Sequence, residues 1–176
     1  MSTTGIRIKD AGAKVEANER APVVGHADVF INAPITTVWR ILSDVARWPD
    51  WNKNISKMSL DGPVQVGTSF RWVGGSSRIV SCLEEVEPPR RIAWSGRTMG
   101  IRAIHVYELD EDKRQTRVHT VESFEGLLAR LMRRSLKKML DKDLEAGLAA
   151  LRAAAEREAL AGTTCKEDAF PLGQPH

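Results

Sequence analysis

The sequence predicts an α+β fold: a seven-stranded antiparallel sheet curled round one long C-terminal helix, with two short helices after the first strand. Three observations carry this. Six short strand-like stretches follow one another between residues 55 and 123, separated by Gly, Pro or Asp turns with no helical crossover, so neighbours should pair antiparallel. A long helical run, residues 127 to about 156, comes last and must bury a stripe against that sheet. The 176 residues, 42% hydrophobic and 28% charged, suit a single domain. A chain of this length buries roughly 70% of its unfolded surface.

Residues 1–22 are polar and weakly patterned and read as a flexible arm, with Ile6–Ile8 as a candidate short strand. Val24–Ile31 alternates with β-branched residues, as a strand does. Asn32 and Pro34 then suit a helix start, and Val38, Trp39, Ile41 and Leu42 form the apolar stripe of Ile35–Leu42. Ser43 and Asp44 can cap a second short helix that Pro49 ends or kinks. Strands follow at Ile55–Leu60, Thr68–Val73, Ser77–Val86 and Arg91–Ser95. Ile101–Leu109 and Thr116–Ser123 make a hairpin round Asp110–Lys113. In the last helix Leu128, Leu131, Met132, Ser135, Met139, Asp143 and Ala146 recur near the helical period. The folded domain is expected over 23–158, and 159–176, polar and Gly/Pro-punctuated, as a disordered tail.

A net charge of +3, with both signs mixed through most of the chain, argues against nucleic acid as a partner. The two cysteines lie in unlike settings, Cys82 in an apolar run and Cys165 in the tail, so reduced thiols and a cytoplasmic location are expected. No run is apolar and long enough to span a bilayer, and no secretory leader is visible. There is no nucleophile elbow, phosphate loop, dinucleotide fingerprint or CxxC pair, and the four histidines are scattered. Neither a metal site nor a cofactor is expected, and catalysis would fall to acid–base side chains. Arg130, Arg133, Arg134, Lys137 and Lys138 are the strongest charge cluster, a solvated face or a weak contact with an anionic membrane.

The stretches VFINAPITTVWRILSDVARWPDWN, EVEPPRRIAWSG and IHVYELDEDKRQTRVHTVESFEGLLARL, in this order over about residues 24–155, resemble the START-like (SRPBCC) superfamily, and within it the polyketide cyclase/dehydrase and lipid-transport group. The resemblance implies the helix-grip fold and a hydrophobic cavity between sheet and long helix. It implies a bound polyketide- or lipid-like small molecule. An aromatase/cyclase or dehydratase enzyme is the alternative, a lipid or coenzyme carrier the second, and the chain would be a monomer or homodimer.

Alternation sorts the cavity lining. Arg102 and Glu108 share the solvent face of their strand, which turns His105 and Tyr107 inward. Likewise Thr120 and Glu122 point in, and Phe70, Trp72 and Trp94 with them. The strand 77–86 stays undecided. Ligand contacts are therefore expected from Trp51, Phe70, Trp72, Trp94, Thr120, Leu131, Ser135 and Met139. If His105 pairs near Thr120, Glu122 lies one diagonal step away, and His105, Glu122 and Tyr107 are the catalytic candidates. His105 and Glu122 could instead satisfy each other, or a buried water, and only stiffen the sheet. Trp72 and Trp94 divide evenly between core and pocket wall. Trp48 is expected to pack the short helices and Trp51 to seal the end of the cavity.

Overall fold

The computed structural model describes residues 14–167. One sheet runs through it, in the order β1-β7-β6-β5-β4-β3-β2 with every pair antiparallel. Its strands are β1 (Val23–Ile31), β2 (Ile55–Leu60), β3 (Ser69–Gly74), β4 (Ser77–Glu87), β5 (Arg91–Thr98), β6 (Ile101–Asp112) and β7 (Gln115–Glu125). The first strand thus pairs with the last, and the chain between β1 and β2 crosses the concave face as helices.

That crossing comprises α1 (Ile35–Ser43), a three-residue 3-10 turn at Val45–Arg47, and α2 (Trp48–Trp51). Asn32 does not cap α1. Its side chain meets Gln115, its backbone N–H donates to Glu156 (3.0 Å), and Pro34 occupies the cap position. Pro49 opens α2 instead of closing it, because its missing N–H costs nothing in a first turn. The β6–β7 turn is tighter than expected: Asp112 pairs with Gln115, and Lys113 takes φ 58°. In β4, Ile79, Ser81 and Leu83 face inward, and a bulge between Leu83 and Glu85 follows.

The C-terminal helix is broken at Met132 into α3 (Leu127–Leu131) and α4 (Arg133–Glu167). α4 lies along β1 and buries Leu136, Leu140, Leu144, Leu148, Leu151 and Ala155. This corrects the expected stripe: Leu131, Met132, Ser135, Met139 and Asp143 are exposed. Two stripes compete on this helix, and the one made of leucine and alanine removes more apolar area from water. Gly25 of β1 allows the close approach, since a Cβ there would lie 2.8–3.0 Å from carbons of Leu140 and Leu144.

Residues 14–22, expected to be loose, cover the convex face. Ala17 packs with Ala93, Val106 and Val121. Arg91, buried, meets Glu85 (3.1 Å), Glu16 (3.2 Å), Glu108 and the Val15 carbonyl. The Val15 N–H donates to Glu85 (2.8 Å) and the Asn18 N–H to Ser123 (3.1 Å). Apolar residues on the convex face and one buried guanidinium supply the reason: both need cover. Helix α4 continues to Glu167, past the expected end of the domain. The candidate strand Ile6–Ile8 and the tail 168–176 lie outside the described residues.

Candidate functional site

β6 and β7 present their inward residues to the space beneath the helices, and alternation decides which these are. His105 and Tyr107 come from β6, Thr120 and Glu122 from β7, while Arg117 and His119 turn outward to Asp28. The register differs by one pair from the expected one. His105 stands directly opposite Glu122, and Tyr107 opposite Thr120. His105 nevertheless touches both partners, with Nε2 2.8 Å from the Thr120 hydroxyl and Nδ1 3.3 Å from Glu122 Oε2.

The hydrogen bonds assign the protons. The Thr120 hydroxyl donates its single proton to the Val106 carbonyl (3.0 Å), so it can only accept from His105, and Nε2 carries the hydrogen. Nδ1 is then a bare acceptor facing Glu122. Burial pushes His105 down to about 3. It pushes Glu122 up to about 8, with the Asp143 carboxylate adding to the rise. Both groups are therefore neutral near pH 7, and the arrangement is a carboxylic acid beside an imidazole rather than an ion pair. The Tyr107 hydroxyl is pushed up by burial and by Glu122, against the pull of its hydrogen bond to Thr120.

Aromatic rings surround the pair. Trp94 lies 4.6 Å from His105 and 5.6 Å from Tyr107, and His105 stacks on Tyr107 at 4.8 Å, centroid to centroid. Trp48 sits 5.0 Å from Trp94, 5.8 Å from Phe70 and 6.5 Å from Trp72, so it belongs to the cluster rather than packing the short helices alone. Its indole N–H donates to the Leu42 carbonyl (2.8 Å), and that of Trp72 to Ser81 (3.2 Å). Phe70 is fully buried, Trp94 nearly so and Trp72 partly. Trp51 is half-buried, and its Nε1 has no hydrogen-bond partner.

These rings pack against one another between the sheet and the helices. Depressions of about 350 Å3, where Trp51 meets α1 and α4, and about 500 Å3, beside Arg133 and Lys137, both lie outside the sheet–helix interior. Inside it, His105 and Glu122 keep 12% and 17% of their side-chain surface accessible. The structure brings His105, Glu122, Tyr107, Thr120, Trp94, Phe70 and Trp72 together. It leaves Leu131, Ser135 and Met139 outside, on exposed parts of α3 and α4. Sequence reasoning missed Asp143 as the carboxylate near Glu122, and missed that a Cβ at Gly147 would stand 3.9 Å from the Tyr107 hydroxyl and 3.8 Å from the Asn52 amide. Only the phase of α4 could have signalled either.

A family model described as polyketide cyclase/dehydrase and lipid transport matches residues 23–156. No curated protein matches the sequence. Among solved structures, a hypothetical protein from Helicobacter pylori superposes with a TM-score of 0.71 at 18% identity, covering 82% of this chain and 99% of its own. The Zhui aromatase/cyclase from Streptomyces sp. R1128 gives 0.67 at 20% identity, covering 76% and 93%. A START superfamily protein from Mycobacterium smegmatis gives 0.67 at 16%, covering 76% and 97%. At such identities the likeness is one of fold.

Proposed function

Since the chain belongs to the polyketide cyclase/dehydrase and lipid-transport family, we propose that it binds a hydrophobic, polyketide- or lipid-like small molecule between the sheet and α4. The supporting observation is the neutral Glu122–His105 pair, retained with some accessible surface inside an aromatic interior. An apolar wall with few convergent polar groups is the usual make-up of a ligand site. Trp94, Tyr107 and Trp72 form the flat wall, and Glu122 with Thr120 the polar end. Such a ligand packs against the indole cluster and displaces part of it.

Native mass spectrometry of protein purified from its own host tests the reading, together with tryptophan fluorescence on titration with a hydroxylated polycyclic aromatic and with a fatty acid. A bound species, or saturable quenching weakened by Trp94→Ala, is expected. No co-purifying species and unchanged fluorescence with both probes would overturn it.

Glu122 favours a second reading, an aromatase/cyclase or dehydratase working without a cofactor. A carboxyl held at about 8 both gives and takes a proton near neutral pH, and such transfer contributes roughly a hundred- to ten-thousandfold in rate. His105 orients that proton through Nδ1, and Tyr107 assists. Equal turnover of a candidate polyketide by His105→Ala and wild type sinks this reading and leaves the binding one standing.

A further inference from the structure

The described surface carries one amphipathic patch that the ligand reading does not use. Leu127 and Leu131 of α3 and Met99 at the β5–β6 turn are 72%, 74% and 72% exposed, with Met132 beside them. Gly126 draws these elements together. Its φ is +119°, and a Cβ there would fall 2.3 Å from the Gly100 carbonyl, so only glycine lets the start of α3 sit against the turn that carries Met99. Immediately behind the apolar tip come Arg130, Arg133, Arg134, Lys137 and Lys138, with no acidic residue between 127 and 140. The next acid, Asp141, is held by Lys137 at 2.5 Å.

We propose that α3 and the first turns of α4 dock the protein on an anionic membrane surface. Leu127, Leu131 and Met99 enter the headgroup layer, and Arg130, Arg133, Arg134 and Lys138 meet the lipid phosphates. The charge is complementary to such a surface. The large apolar side chains stand out instead of lining a groove, which suits a bilayer better than the surface of an acidic protein. The docking is independent of which ligand occupies the interior.

The test is co-sedimentation of the full chain with vesicles of phosphatidylcholine alone and of phosphatidylcholine mixed with phosphatidylserine, at low and physiological salt. Binding to the mixed vesicles only, weakening as salt rises, is expected. Each cation near an anionic surface is worth about a fivefold change in partition. The double reversal Arg133→Glu/Arg134→Glu should therefore weaken binding by at least ~25-fold. Leu127→Gln/Leu131→Gln should weaken it at every salt concentration. All four residues are exposed, so circular dichroism and the thermal midpoint of the variants should match wild type. The proposal is overturned by absence of binding to the mixed vesicles at low salt, by equal binding to neutral vesicles, or by indifference to the charge reversal.

Discussion

Where β1 meets α4 the interior is dry. Val23, Leu140 and Leu144 are buried together, and Gly25 gives up its side chain so that helix and strand can close. One and two strands further in, on β7 and β6, the same concave face carries His105, Tyr107, Thr120 and Glu122. The dry contact removes apolar area from water and leaves no polar atom to satisfy, so it anchors the helix. The polar patch does the opposite. It keeps an acid and a base out of water, at the cost of holding both in their neutral forms. The contrast sets an apolar scaffold contact beside the polar candidate site on one face of one sheet.

The largest expected effect falls on the dry side. Leu140→Ala should cost about 2–5 kcal/mol in denaturant unfolding, because α4 cannot collapse into the void while its other leucines stay seated. A loss below ~1 kcal/mol would show that the helix grips the sheet elsewhere.

On the polar side the signature is pH dependence. Glu122 rises from 4.5 to about 8 on folding, so between these values the unfolded chain ionises first and stability falls as pH rises. His105 drops from 6.5 to about 3, so the unfolded chain protonates first and stability falls as pH decreases below 6.5. The two slopes oppose each other between 4.5 and 6.5, which leaves a flat top there. Above it the loss is about 1.4 kcal/mol per pH unit, ~2 kcal/mol by roughly pH 8. Glu122→Gln should remove the alkaline limb and, with nothing left to oppose His105, extend the acid limb up to about pH 6.5, as read from unfolding curves on either side of neutrality.

Thr120→Val leaves the His105 Nε2–H without its acceptor and should cost about 1–2 kcal/mol. Nitrogen-15 NMR of the imidazole should show a single Nε2–H tautomer in wild type and a mixture in the variant. The smallest effect is expected for Leu131→Ala, within about 0.5 kcal/mol, since that leucine is exposed. A cost comparable to that of Leu140→Ala would mean that the stripe now facing water is the one that packs.

Much of this was legible from residue order. Alternation places His105 and Tyr107, and likewise Thr120 and Glu122, on the inner face, because the two-residue period of a strand is local. Register was less accessible. His105 opposes Glu122 because the turn takes only Lys113 and Arg114, and hairpin length follows from φ preferences that the acidic run Asp110–Asp112 does not advertise. Helix phase misled. Leu131, Ser135 and Met139 fit a helical period as well as Leu136, Leu140 and Leu144 do, and periodicity alone does not say which stripe meets a sheet.

The sequence by itself determined the order of the elements, the antiparallel sheet and the inward or outward facing of β3, β6 and β7. These depend on near neighbours in the chain: turns, alternation and breaks. Tertiary structure alone decided which stripe of α4 is buried, that residues 14–22 lie on the convex face, and that Trp48 joins the aromatic cluster round Trp94. It also decided that burial raises Glu122 above the ordinary carboxyl range. A pKa is set by what excludes water from a carboxyl, and here that work falls to β1, β6 and α4, segments distant from residue 122 along the chain but packed beside it in space.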